Sequence, residues 1–115
     1  MIKVLENEAD FAKILESDKK VLVDFNAKWC GPCRRMGRRI EGLEEDYKDL
    51  TFLKVDTDEY PELAQKFGVV SIPRMVAFKD GKRIYVEKDG AQDEIILGAR
   101  PEPAFRQILT DTFEK

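Results

Sequence analysis

The stretch "VLVDFNAKWCGPCRR" (Val21–Arg35) decides the fold, because it joins a predicted strand to a predicted helix through a pair of cysteines. Val21–Asn26 is almost continuously apolar, as expected of a central strand that is covered on both faces of a sheet. Beyond the cysteines, apolar side chains recur at helical spacing at Met36, Ile40, Leu43 and Tyr47. A helix is therefore expected to start near the cysteines and to run to about Tyr47.

The remainder of the chain alternates between strand and helix patterns. Strands are expected at Ile2–Leu5, at Leu50–Asp56, at Arg74–Phe78, through Ile84 and Val86, and at Glu94–Gly98. One further helix, capped by Asn7, is expected to bury Phe11, Ile14 and Leu15, and a short one Leu63, Ala64 and Phe67 before Gly68. The last helix is expected to begin near Pro101 and to bury Phe105, Ile108, Leu109 and Phe113. Asp80-Gly81 and Asp89-Gly90 are typical of two-residue hairpin turns.

The resulting order of elements, β-α-β-α-β-α-β-β-(β)-α, predicts an α/β fold with a mixed sheet and helices on both of its faces. The 115 residues form a single domain by length, and at 43% apolar residues the chain can bury about two-thirds of its unfolded surface. We therefore treat residues 1–115 as one domain.

Composition narrows the chemistry that the chain can perform. A disulfide between Cys30 and Cys33 closes a very short loop and adds little stability, so the two thiols serve chemistry or bind a metal. The sequence contains no histidine, which excludes imidazole ligands and histidine-based catalysis. The net charge of −3 argues against nucleic acid as a partner. Without an apolar run typical of a signal peptide or a membrane span, we expect a cytoplasmic protein that does not bind membranes.

Three motifs together resemble the active site of the thioredoxin family. They are "WCGPC" at Trp29–Cys33, "VDF" with Asp24 six residues before the first cysteine, and "SIP" with Pro73 at the start of a strand. The resemblance covers residues 1–81 and resumes at Gly98. It implies the thioredoxin fold, a central mixed β-sheet flanked by helices on both faces, and a dithiol-disulfide oxidoreductase that reduces protein disulfides and serves cell redox homeostasis. It also implies a monomer with no cofactor or metal besides the Cys30–Cys33 pair, recycled by an NADPH-dependent thioredoxin reductase.

Catalytic roles are assigned to Cys30, Cys33 and Asp24. Cys30 lies at a predicted helix N-terminus, which favours its thiolate by roughly 0.3–2 kcal/mol. Cys33, one turn further into the helix and expected to be more buried, resolves the mixed disulfide on Cys30. Asp24 lies in a strand that is expected to be buried, so the pKa of its carboxyl should be raised. The resemblance implies that Asp24 accepts the proton of Cys33, although a polar residue near a strand end can also be purely structural.

Substrate-binding roles are assigned to Trp29, Gly31, Pro32, Ile72, Pro73 and Gly98. Pro73 is expected to follow a cis peptide bond and to face the cysteines, so that the backbone of Ile72 is free to pair with an extended substrate segment. An ordinary edge-strand proline is the alternative. Trp29 either contacts substrate and shields the thiols or belongs to the core. Gly98 either permits close approach of a partner chain or occupies a simple turn.

The sequence departs from the family pattern at several positions. Asn26 stands where an aromatic residue is common, Arg38 where a proline commonly kinks the second helix, and Arg74 where a threonine is common. An insertion between Lys82 and Leu97 has no functional interpretation. Two other functions remain open: a disulfide oxidase or isomerase, and a dimer that holds zinc or an iron-sulfur cluster through four thiolates.

Four arginines follow the second cysteine within six residues. A helical wheel places Arg34 and Arg38 opposite the apolar stripe and Arg35 to one side, whereas the stem of Arg39 is expected to pack. With Arg74, Arg34 and Arg35 are expected to form a positive collar around Cys30 that steers acidic partners. A solvated helix face without function is the alternative.

Overall fold

The computed structural model describes residues 1–84, 86–88, 91–93, 96–97 and 101–114. The described strands are β1 (Ile2–Val4), β2 (Lys20–Asn26), β3 (Thr51–Asp56), β4 (Arg74–Lys79), β5 (Lys82–Ile84), β6 (Val86–Lys88), β7 (Ala91–Asp93) and β8 (Ile96–Leu97). The described helices are α1 (Ala9–Ser17), α2 (Gly31–Leu43), α3 (Pro61–Lys66) and α4 (Glu102–Phe113), with a short 3₁₀ helix at Glu44–Asp46. In these ranges no helix has the length and apolar character needed to cross a bilayer.

A mixed sheet with the order β1-β3-β2-β4-β5 forms the centre of the molecule, and β8 also pairs with β4. β2 runs parallel to β3 and antiparallel to β4, so that Asp24 lies opposite Lys54 on one side and Met75 on the other. β6 and β7 pair with each other as a separate two-stranded sheet. The expected α/β architecture with a central mixed sheet is confirmed.

Apolar side chains cover both faces of β2, as the continuous apolar run predicted. Leu22 packs on one face with α2 and α4, against residues that include Met36, Ile40, Phe52, Met75 and Phe105. Val21, Val23 and Phe25 pack on the other face with α1 and α3, against residues that include Phe11, Leu53, Leu63 and Phe78. Because side chains alternate along a strand, Asp24 shares the face of Leu22 and points toward α2.

Local signals are confirmed at three positions. The Oδ1 atom of Asn7 accepts the backbone N–H of Asp10 at 3.1 Å, at the start of α1. Gly68, just beyond α3, has φ of +64°. Asp80 and Gly81 have φ of +53° and +79°, the positive values that a tight hairpin turn between β4 and β5 requires.

One predicted boundary is wrong. α2 ends at Leu43 rather than near Tyr47, although Tyr47 still packs against the core. The next three residues, Glu44–Asp46, are all acidic, and the negative end of a helix dipole disfavours them. Ile84 and Val86 both lie in strands, as predicted, but the strands have different partners: β5, which contains Ile84, pairs with β4, and β6, which contains Val86, pairs with β7.

Other predictions fall partly or wholly outside the described residues. Of the predicted strand Glu94–Gly98, the structure describes Ile96–Leu97, which pairs with β4. The turn predicted at Asp89-Gly90 and the position of Gly98 lie outside the described residues.

Candidate active site

Cys30 is the N-cap residue of α2, at the end of the loop that follows β2. Its Sγ atom accepts the backbone N–H of Cys33 at 3.2 Å, in the role that a serine or aspartate oxygen usually takes at this position. Pro32 lies in the first helical turn, where a missing N–H costs no intrahelical bond. The amides at this end of the helix therefore stabilise negative charge on the sulfur of Cys30.

A disulfide joins Cys30 to Cys33, with their Cα atoms 5.2 Å apart. We expected Cys33 to be the more buried of the two, but both are almost inaccessible, at 4% and 5% exposure. Ile72, from the loop before β4, packs against the cluster of Ala27, Cys30 and Cys33, and its carbonyl oxygen lies beside Sγ of Cys30. Sequence periodicity predicts that Cys33 is buried by its position in the helix. It does not predict that Cys30 is buried too, because that burial comes from contact with another loop.

The loop before β4 lies directly beside the disulfide. The peptide bond between Ile72 and Pro73 is cis, as predicted, and the carbonyl oxygen of Ile72 lies 4.0 Å from Sγ of Cys30. A groove of about 240 Å³ runs along this loop, lined by Trp29, Thr57, Val69, Val70, Ser71 and Ile72. Trp29 and Val70 are largely exposed, so the groove presents apolar surface to solvent. The alternative that Trp29 belongs to the core is wrong, since its Nε1 donates instead to Asp58 at 3.0 Å.

Asp24 is buried under α2 with 1% of its surface exposed. Within the described part of the chain its Oδ1 atom has no hydrogen-bond partner. Burial raises the pKa of this carboxyl to about 7, and the positive charge of Lys54 opposes that rise only in part. The raised pKa that the sequence predicted is thus confirmed, with desolvation as its main cause.

Asp24 and Cys33 line the same cavity of about 500 Å³, together with Gly37 and Lys54. A Cβ atom on Gly37 would lie 3.5 Å from Nζ of Lys54, an ordinary contact distance, which places the ammonium group beside α2. Sequence reasoning missed Lys54. The available signal was a single charged residue between apolar neighbours in a predicted strand, but its position opposite Asp24 depends on the register of β3.

The arginines of α2 behave as the helical wheel predicted. Arg34, Arg35 and Arg38 are exposed, while Arg39 is half-buried and its Nη1 lies 3.7 Å from Sδ of Met36. α2 continues through Arg38 without interruption.

Arg74 does not join a positive collar around Cys30, which corrects the prediction. Only 8% of Arg74 is exposed, and its Nη1 donates to the carbonyl oxygen of Gly68 at 2.6 Å. Burial and the nearby charge of Arg83 lower the pKa of this guanidinium. The side chain therefore fastens the loop before β4 to the end of α3.

The remaining predicted positions differ in exposure. Pro32 is exposed, Gly31 is half-buried beside it, and Pro73 is buried. Asn26 donates from Nδ2 to the carbonyl oxygen of Asp24 at 3.0 Å, which occupies its side chain at the end of β2. The structure thus brings all predicted site residues within the described ranges to one end of β2.

Disulfide exchange is the chemistry that this arrangement supports. Once reduced, Cys30 carries a thiolate stabilised by helix amides, and Cys33 is held within bonding distance of it. A thiolate of this kind attacks other disulfides, and its neighbour then displaces the attacked partner. The fold and the site together define a dithiol-disulfide oxidoreductase.

Comparison with known proteins gives the family. The thioredoxin family model matches residues 2–102. A thioredoxin of Mycoplasmoides gallisepticum is 43% identical over 81 residues, which cover 70% of this chain and 81% of that protein. Thioredoxin-1 of Schizosaccharomyces pombe is 38% identical over 101 residues, 88% of this chain and 89% of that protein. The solution structure of oxidised thioredoxin from Plasmodium falciparum superposes with a TM-score of 0.77 at 31% identity, covering 95% of each chain. The chain belongs to the thioredoxin family.

Membership of this family fixes the general activity. The protein is a dithiol-disulfide oxidoreductase of the disulfide-reducing kind that acts on protein disulfides, and such proteins are generally reduced again by a thioredoxin reductase. The cysteine disulfide is the redox group of the family. Among the described residues, no three His, Cys, Asp or Glu side chains are grouped as metal ligands.

Proposed function

We propose that the protein reduces protein disulfides in two steps. The Cys30 thiolate attacks one sulfur of the substrate disulfide, forms a mixed disulfide, and releases the other sulfur as a thiolate that takes up a proton. Cys33 then gives its proton to Asp24 and attacks Sγ of Cys30. This second step releases the remaining substrate thiolate and leaves the Cys30–Cys33 disulfide. Two electrons pass from the protein to the substrate in each cycle.

The observation that carries this proposal is that Asp24 and Cys33 line one cavity. With a pKa of about 7, the carboxyl of Asp24 is partly ionised at neutral pH and accepts a proton readily from a thiol. The cavity also contains the ammonium group of Lys54, which favours the ionised carboxylate before the transfer.

Substrate binding is proposed at the groove beside the disulfide. An extended segment would lie along Ile72 and Pro73, contact the exposed ring of Trp29, and cross the turn formed by Gly31 and Pro32. Gly98 completes the set that the family resemblance implies. We further propose that the protein works as a monomer in the cytoplasm and is recycled by an NADPH-dependent flavoprotein, because a reducing compartment keeps the two thiols available for the next cycle.

Reduction of insulin with dithiothreitol as electron donor tests the proposal. The parent protein should accelerate precipitation of the insulin B chain, and Cys30→Ser should abolish that acceleration. Cys33→Ser should instead accumulate a mixed disulfide with the substrate, visible by mass spectrometry under non-reducing conditions. A Cys30→Ser protein that still reduces insulin would contradict the assignment of the nucleophile.

A further inference from the structure

Three guanidinium groups lie on the α2 side of the active site. Arg34, Arg35 and Arg38 are exposed and form what we term the arginine patch. In the described ranges none of them is within ion-pair distance of a carboxylate, whereas Arg106 of α4 pairs with two. Their charge is available to a partner and is opposite in sign to the net charge of −3 of the whole chain.

Two of these groups reach back to the turn that carries the nucleophile. Helical side chains point toward the N-terminus of their helix. A Cβ atom on Gly31, the residue after Cys30, would lie 3.9 Å from Nη1 of Arg35 and 4.0 Å from Nη2 of Arg34. Arg34 is held there, because its Nη1 donates to the carbonyl oxygen of Lys28 at 2.8 Å. The positive charge therefore lies beside the disulfide rather than further along the helix.

The opposite side of the disulfide has different chemistry. The groove along Val69–Ile72 combines apolar side chains with the hydroxyl groups of Thr57 and Ser71, and the carboxylate of Asp58 accepts the indole N–H of Trp29. The carboxylate of Glu59 lies 3.8 Å from the ammonium of Lys28. The surface on the Trp29 side of Cys30 thus presents apolar side chains, hydroxyl groups and carboxylates, whereas the surface on the α2 side presents the arginine patch.

Building on the proposed function, we propose that the preferred substrates carry aspartate or glutamate next to the reactive disulfide, on the side that meets the arginine patch. Apolar residues of the same segment would occupy the groove beside Trp29 and Val70. Arginine binds carboxylates through paired N–H donors, and unpaired surface cations also raise the rate at which acidic partners arrive. The effect belongs mainly to the rate of encounter and should weaken with salt.

Three synthetic peptides test this proposal. Each contains one intramolecular disulfide and the same flanking sequence, except that the two residues beside the disulfide are both Glu, both Gln or both Lys. Second-order rate constants for their reduction are measured with the dithiothreitol-reduced protein at pH 7. At low ionic strength the order should be Glu, Gln, Lys, with roughly tenfold between the first and the last. In about 0.5 M salt, where charges are screened within a few ångströms, the three rates should converge.

The rates measured with the parent protein are sufficient to test the proposal. Equal rates for the three peptides at low ionic strength, or an order that salt does not change, would overturn it while leaving disulfide reduction intact. A parent that reduces none of the peptides would overturn the proposed function and this inference with it.

A triple variant assigns the effect to the arginine patch. Arg34→Gln, Arg35→Gln and Arg38→Gln together should reduce the ratio of the Glu rate to the Lys rate from about ten to about two. The ratio cancels any change in the reactivity of Cys30 itself. The corresponding triple Arg→Lys variant, which keeps the charge, should retain most of the parent's ratio. A triple Gln variant with the parent's ratio would overturn the assignment.

A matched control removes three positive charges from elsewhere. Lys19, Lys48 and Lys82 are exposed and lie at the end of the sheet opposite Cys30, since Lys19 and Lys48 precede β2 and β3 and Lys82 pairs with the end of β4. Changing all three to Gln alters the net charge as much as the patch variant does. This control should keep the parent's ratio, and a ratio that falls equally would show that net charge, not the patch, discriminates the peptides.

Discussion

At the scale of single residues, the site depends on the cysteine pair and on Asp24. The sequence identifies both, and the fold determines their burial and their hydrogen bonds. Cys30 and Cys33 are both almost inaccessible as a disulfide, but within the described ranges a helix amide donates to the sulfur of Cys30 and none to that of Cys33. Asp24 is an acid inside a core strand, where burial keeps it protonated to unusually high pH. A nearby hydrogen-bond donor favours the charged form of Cys30, whereas exclusion of water favours the neutral form of Asp24.

Reduced protein should be alkylated at Cys30 first. Because helix amides stabilise its thiolate, iodoacetamide near pH 7 should modify Cys30 at least about tenfold faster than Cys33. Timed quenching followed by peptide mass spectrometry measures both rates in one sample. Similar rates for the two cysteines would show that the N-cap interaction does not favour the thiolate of Cys30.

Asp24→Asn should change how stability depends on pH. The folded pKa of about 7 is raised from 3.8, so between pH 4 and pH 7 the unfolded chain loses a proton that the folded protein keeps. The free energy of unfolding therefore falls as pH rises through this window, by up to roughly 4 kcal/mol. Asparagine does not ionise, so the stability of the variant relative to the parent should increase by that amount from pH 4 to pH 8.

Urea unfolding at pH 4, 6 and 8 measures this difference, with the exposed carboxyl-to-amide change Glu45→Gln as a control whose effect should differ far less between pH 4 and pH 8. A difference for Asp24→Asn that is the same at pH 4 and pH 8 would contradict the burial of the carboxyl. The variant should also reduce insulin more slowly than the parent, because in the proposed mechanism water then replaces Asp24 as the proton acceptor of Cys33.

At the scale of elements, the loop before β4 is held in place by a side chain that sequence reasoning assigned to the surface. Arg74 begins β4 next to Phe25 of β2, and its guanidinium reaches the carbonyl oxygen of Gly68. This contact fixes the two ends of the segment that presents Ile72 to the disulfide. The loop is therefore positioned by the strand that follows it.

Arg74→Ala should loosen that segment. Loss of a buried charged donor should lower the free energy of unfolding by roughly 1–3 kcal/mol. Because the groove proposed to bind substrate is built on the same segment, KM for insulin should rise, whereas reduction of the protein's own disulfide by dithiothreitol should change little. Lys79→Ala, at the other end of β4, is the control. An Arg74→Ala protein with the parent's KM and stability would show that the contact does not position the loop.

The sequence predicts a structural feature well when the residues that determine it are neighbours in the chain, and poorly when they come from different elements. β2, the start of α2 and the turn at Asp80-Gly81 follow from neighbouring residues, and all were predicted. Arg74 was misplaced and Lys54 missed because their surroundings come from other elements: the end of α3 for one, the register of β3 against β2 for the other. Periodicity alone does not carry that information.

At the scale of the whole molecule, the sheet order places β2 at the centre and brings the site to one of its ends. Two apolar layers, one on each face, hold this strand. α4 contributes Phe105, Leu109 and Phe113 to the layer that also covers Asp24. The last helix of the chain therefore supports a site that begins some seventy residues before it.

Phe105→Ala should destabilise the fold by roughly 3–5 kcal/mol, because it leaves a cavity in a layer where this ring is fully buried. Thermal and urea unfolding measure the loss, and Gln107→Ala on the exposed side of α4 should cost well under 1 kcal/mol. Equal effects of the two changes would show that α4 does not complete the core.

The exposed indole of Trp29 has a practical consequence for spectroscopy. The chain contains one tryptophan, and it directly precedes Cys30. A disulfide beside an indole quenches its emission, whereas a pair of thiols quenches it less. Opening the Cys30–Cys33 bond should therefore brighten the protein's own fluorescence, so that each half-cycle of electron transfer can be followed in a stopped-flow instrument without any added dye.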